Sequence, residues 1–133
     1  MSGAVVDTDV ISFVFKGDTR AFLYAALLRQ QFLMISFMTE AELERWALQS
    51  RWGEGRVQRL RRYISRFAIV PSSRDLARKW ADVMWVAQQL GRPIDCADAW
   101  IAATALLYEV PPITHNQRDY LGIPSLTLLS PGP

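Results

Sequence analysis

Cysteine and histidine are nearly absent from this chain. Its 133 residues contain one of each, Cys96 and His115. A lone cysteine excludes an internal disulfide, and the pair excludes a Cys/His zinc cluster. Cys96 then reads as a small buried hydrophobe. Lysine is scarce as well: of fifteen basic residues only Lys16 and Lys79 are lysines. No glycine-rich loop follows the first apolar run, which removes the phosphate-binding and dinucleotide-binding fingerprints. No apolar run approaches the roughly 20 residues that a membrane span needs. The first residues carry neither a basic run nor a cleavage site, so no secretory signal is expected. With the single thiol, this points to a reducing cytoplasm and no membrane.

What is present is a globular composition. Half the residues are apolar, with five Trp, six Phe and four Tyr, and the length suits one domain over 1–133. Net charge is only +2, but it is unevenly placed. Seven arginines fall between Arg45 and Arg66, where Glu54 is the only acid, giving a local charge of +6. Arginine's planar fork holds phosphate bidentately, and such asymmetry suits a polyanion.

Short apolar runs at 4–6, 32–35, 68–71, 113–114 and 126–129 read as strands. Helical patterns fall between them, at 19–31, 39–50, after the Gly53 and Gly55 interruption, at 74–90 and at 97–108. In the arginine-rich helix, Val57, Leu60, Ile64 and Phe67 share one face, and Arg56, Arg59, Arg62 and Arg66 form a neighbouring stripe. Trp80, Val83, Met84, Ala87 and Leu90 form the expected buried face of the next helix. The chain end at 131–133 reads as loose. Strands alternating with helices predict an α/β/α sandwich around a central parallel sheet of four to five short strands. Sites in such sheets form beyond the carboxyl ends of the strands, where strand order reverses.

Four acidic segments lie at those handover points. They carry Asp7, Glu42, Asp98 and Asp119. Converging carboxylates repel one another unless a cation sits among them, and oxygen ligands suit Mg²⁺ or Mn²⁺. Asp7, Glu42 and Asp98 also have simpler readings. Asp7 and Asp9 suit a turn and a helix cap. Thr39 and Glu42 have capping-box spacing. Asp95 and Asp98 suit the N-cap and first turn of a helix. His115 is tempting as a general base, but water activated by a metal needs none.

In combination the segments resemble the PIN-domain ribonucleases, specifically the VapC-type toxins of toxin–antitoxin pairs. Val6-Asp7-Thr8-Asp9, Ala41-Glu42-Leu43, Asp98-Ala99-Trp100-Ile101-Ala102-Ala103 and Thr114-His115-Asn116-Gln117-Arg118-Asp119-Tyr120 carry the likeness, followed by Gly122-Ile123-Pro124. The resemblance implies that Asp7, Glu42, Asp98 and Asp119 hold Mg²⁺ or Mn²⁺, with Thr8, Asp9, Asp95 and Asn116 around them. Asn116 stands where many relatives carry an acid, so either Asp119 or a water on Asn116 completes the set. Tyr120 replaces a usual Phe, a change expected to affect packing alone. The resemblance further implies cleavage of structured RNA, tRNA above all, leaving a 5′-phosphate and a 3′-hydroxyl. It also implies a homodimer and a cognate antitoxin. On this reading Arg56, Arg59, Arg62 and Arg66 bind the RNA backbone and Trp52 stacks on bases. A processing nuclease without an antitoxin and a non-catalytic RNA-binding module remain as alternatives.

Overall fold

The computed structural model describes residues 2–129 and Pro131; Gly132 and Pro133, in the segment read as a loose end, lie outside the described residues. Strand β1 (Ser2–Val6) leads through Asp7 into helix α1 (Thr8–Lys16). Gly17 ends α1 in the left-handed conformation, φ 71°, that glycine adopts without strain. A 3₁₀ turn (Thr19–Leu23) and the short helix α2 (Ala25–Arg29) follow, then β2 (Gln31–Ser36) and α3 (Phe37–Gln49). The rest of the chain forms α4 (Glu54–Ile64), β3 (Ala68–Val70), α5 (Arg74–Gln89), α6 (Cys96–Leu107), β4 (Pro112–Ile113) and a 3₁₀ turn (Gln117–Tyr120).

The four strands form one parallel sheet in the order β3-β2-β1-β4. Ala4, Val5 and Val6 are fully buried because helices cover both faces. Val5 and Met34 face a core built with α5 and α6 through Val83, Ala87, Ile101 and Ala105. Ala4, Val6 and Ile35 face the other core, with Ile11, Leu43, Leu60 and Ile64 from α1, α3 and α4. The alternation along β1 is the strand's period of two.

Some sequence expectations need correction. The run at 126–129 is not a strand: it contributes a single parallel bridge, Ile113 to Leu129. The helix expected over 19–31 is split into the 3₁₀ turn and α2, and its end pairs as β2. Leu90 is 55% exposed because it caps α5 rather than extending its buried face. Cys96 is exposed at the first turn of α6, not buried.

Candidate active site

Strand order reverses at β1, with β2 and β3 on one side and β4 on the other. The crevice there is where an open parallel sheet places its ligand site. The Asp7 backbone N–H donates to the Ile113 carbonyl at 2.9 Å, so the ends of β1 and β4 are tied together. Asp7 is only 6% exposed. Its Oδ1 accepts the Thr8 N–H at 2.7 Å, and its Oδ2 accepts the hydroxyls of Thr114 at 2.7 Å and Tyr120 at 2.8 Å. Burial pushes the Asp7 carboxyl upward, these bonds pull it down, and Asp119 adds a further upward push. A buried carboxylate without such donors is too costly to keep charged.

Glu42 approaches from α3. The Thr8 hydroxyl donates to its Oε1 at 2.7 Å and lies 3.0 Å from the Thr39 hydroxyl. The capping-box reading of Thr39 fails, because α3 begins at Phe37 and Ser36 caps it. Thr39 is instead buried inside the helix. Burial raises the Glu42 carboxyl, and the charge of Asp7 adds to the rise.

Asp98 lies in the first turn of α6, half-buried. Burial, and then Asp7, Asp119, Asp95 and Glu42 in that order, push its pKa up to about 7. Four acids from separate segments therefore act on the charge of Asp98. Asp119 is exposed on the 3₁₀ turn after β4. Asp95 is the N-cap of α6 but makes no side-chain capping bond.

Asp9 is not the helix cap, since Asp7 fills that position. Its Oδ1 accepts the Val10 N–H at 2.7 Å. Its Oδ2 accepts the His115 N–H at 3.2 Å and the Asn116 Nδ2 at 3.1 Å. Asp9 thus holds the loop after β4, and burial with the nearby Asp7 raises its carboxyl. His115 turns its ring elsewhere: Nδ1 lies 2.6 Å from the Tyr24 hydroxyl and the ring meets Phe13 edge-on at 5.1 Å.

Sequence reasoning missed two residues of this cluster. Thr114 is a fully buried hydroxyl at the end of β4. Tyr120 is 2% exposed, and its hydroxyl binds Asp7, so its difference from Phe is not one of packing alone. The signal was available in both cases: a polar atom at a core position demands a partner.

The donor set fits a hard divalent cation. It is made of carboxylate oxygens, and the raised pKa values of Asp98 and Glu42 record burial plus the mutual repulsion that a cation relieves. Among the described residues no three Asp, Glu, His or Cys side chains converge on one point in this conformation. Asp7, Glu42 and Asp9 are turned onto protein donors instead.

The arginines lie on α4 and just after it. Arg56, Arg59, Arg62 and Arg66 are exposed, although Arg66 follows the end of α4 rather than lying on it. Arg56 stacks over Trp52 at 4.1 Å and Arg66 lies 5.8 Å from the Tyr63 ring. Arg61 is engaged by Glu44 at 2.8 Å. Among the described residues Arg59 and Arg62 have no carboxylate partner.

This arrangement has known counterparts. Ribonuclease VapC1 of Haemophilus influenzae strain R2866 is 29% identical over 127 residues, covering 92% of each chain. A toxin–antitoxin complex from Klebsiella pneumoniae contains a chain 28% identical, with a TM-score of 0.75 over 94% of this chain and 96% of that one. The structure of VapBC-1 from nontypeable H. influenzae matches at 26% identity and a TM-score of 0.83, covering 96% of both chains. The PIN domain family model matches residues 4–121, which includes the end of β1 and each of the acids described above, and by that match the chain belongs to the PIN-domain family.

Proposed function

We propose that this chain, as a single domain over 1–133, is a divalent-metal-dependent endoribonuclease and the toxin of a toxin–antitoxin pair. One observation carries the reading. A buried, triply hydrogen-bonded Asp7 stands at the switch point, with Glu42, Asp98 and Asp119 close enough to perturb its charge or be perturbed by it. That ribonucleases and toxin–antitoxin proteins are its relatives supports the same conclusion.

In this reading Asp7, Glu42, Asp98 and Asp119 hold Mg²⁺ or Mn²⁺. When bound, the ion polarises the phosphodiester and activates a water for in-line attack. The chain's own residues supply position. Thr114 and Tyr120 fix Asp7, Thr8 fixes Glu42, and Asp9 with Asn116 fixes the loop that carries Asp119. Asp95 adds negative charge beside Asp98. Arg56, Arg59, Arg62 and Arg66 hold the RNA backbone, and structured RNA such as tRNA is the substrate. The protein works in the cytoplasm as a homodimer, silenced by a small antitoxin; among the described residues no helix is long and apolar enough to cross a membrane.

Purified protein is expected to cleave RNA with Mg²⁺ or Mn²⁺, leaving 5′-phosphate ends, and to stop in EDTA. Undiminished cleavage in EDTA, with contaminating nuclease excluded, refutes the metal mechanism.

A further inference from the structure

Beside the acids, between α1 and α3, runs a groove of about 210 Å³ lined by Thr8, Ser12, Lys16, Glu42, Leu43 and Trp46. Its near end is the hydrogen-bonded Thr8–Glu42 pair. Its far end is Lys16, about 12 Å further along α1 at 1.5 Å per residue. Trp46 forms one wall. The indole is fixed before any ligand arrives, with Trp52 edge-on at 4.6 Å and Phe15 edge-on at 6.2 Å. Lys16 is 3.9 Å from Asp18, but that carboxylate is already held by Arg20 at 2.8 and 3.0 Å. The Lys16 ammonium is exposed, and its contact to Asp18 is longer than a hydrogen bond, so it can also reach another anion.

We propose that this groove binds the nucleotide that flanks the scissile phosphodiester, with its base against Trp46 and its outer phosphate on Lys16. The inference rests on the ribonuclease reading above. An aromatic wall takes any unpaired base by stacking. A lone ammonium takes a phosphate as a point charge. The two lie in line with the acids, so a strand with its scissile phosphate at Asp7 and Glu42 continues into the groove. The volume equals about seven waters at ~30 Å³ each. That is room for one base and its sugar, and less than the roughly 300 Å³ where drug-sized pockets begin. It is too small for a helix of a protein partner, and Lys16 repels a basic side chain entering by this route.

The test uses the full chain in EDTA, where RNA is bound but not cut. A single-stranded RNA oligonucleotide is titrated across a salt series by fluorescence anisotropy. Losing one phosphate contact flattens the slope of log K against log salt by about 0.7. Lys16→Gln, on an exposed side chain, is expected to show that loss. An oligonucleotide carrying 5-iodouracil is expected to photocrosslink to the peptide containing Trp46. An unchanged slope for Lys16→Gln, or crosslinks confined to Trp52 and Tyr63, overturns the groove assignment. If Lys16→Gln instead loses only a copurifying protein partner, the groove belongs to that partner and the proposal falls. The ribonuclease reading survives such failures when Arg59, Arg62 and Arg66→Gln still flattens the slope. Absence of RNA binding by the unmodified chain defeats both.

Discussion

Asp98→Asn separates a site residue from a helix-capping one, because the two roles predict opposite signs of stability. The carboxyl sits among four other acids and its pKa rises from 3.8 to about 7. At 1.36 kcal/mol per pH unit that rise corresponds to about 4 kcal/mol. Asp98 is only half-buried, so water screens much of it, and an effective penalty on the order of 1–2 kcal/mol is the reasonable figure. The direction follows from linkage. The folded state binds the proton more tightly than the unfolded chain, so ionisation destabilises the fold. No penalty exists below the ordinary pKa near 4. It grows as pH rises from 4 to 7 and is complete above. Against this, an acid in the first turn of α6 contributes about 0.3–1 kcal/mol through the helix dipole.

Metal-free Asp98→Asn is therefore expected to match the parent at pH 4 and to exceed it by about 1 kcal/mol at pH 8. Denaturant melts in EDTA at several pH values measure this, and cleavage assays in Mg²⁺ on the same proteins complete it. Cleavage is expected to fall by orders of magnitude. A variant that unfolds more easily at pH 8 yet still cleaves leaves Asp98 as a helix-terminus residue and removes it from the site.

Arg59, Arg62 and Arg66→Gln is expected to flatten the salt dependence of RNA binding by about 0.7 per lost phosphate contact while the fold survives on Leu60 and Ile64; an unchanged slope makes them a solvated face. Tyr120→Phe removes one of three donors to a buried carboxylate and is expected to cost about 1.5–3 kcal/mol at neutral pH, read by chemical denaturation, with cleavage reduced. A variant as stable and active as the parent shows that the hydroxyl is dispensable. Expression alone is expected to be toxic, and co-expression with a small neighbouring reading frame to relieve the toxicity and yield a copurifying complex. Harmless expression with no such partner favours the processing-nuclease reading.

Much of the fold was legible because its strands are short, apolar and bounded by helices. Ala4-Val5-Val6 reads as a strand buried on both faces, and it is one. The helical pattern at 74–90 is borne out as α5, which Ser73 caps through its hydroxyl. The errors arose where local pattern and tertiary pairing compete. Leu126 to Leu129 has strand composition, but only Leu129 finds a partner in the sheet. The 19–31 segment has helical periodicity, yet Gln31 pairs with Ser2 and the chain turns before one helix can span it. Around the switch point, spacing and family resemblance named the acids that the structure brings near one another. Their hydroxyl partners were not legible, because Thr114 and Tyr120 meet Asp7 across more than a hundred residues of chain.

The hydrogen-bond inventory divides the acids further. Asp9 commits both oxygens, one to Val10 and one to the His115 and Asn116 donors. It is a strut between α1 and the loop after β4. Asp7 likewise commits Oδ2 to two hydroxyls and Oδ1 to a single N–H, so one lone pair remains on Oδ1 of each acid. Glu42 engages only Oε1, through Thr8. The carboxylates of Asp98 and Asp119 accept no hydrogen bond among the described residues, although their charges act on the cluster. Asp9 carries the same load as Asp7, one N–H on Oδ1 and two donors on Oδ2, so among the described residues the fully uncommitted carboxylate oxygens of the cluster belong to Glu42, Asp98, Asp119 and Asp95. A carboxylate held on a single oxygen, as Glu42 is by Thr8, is both oriented and available.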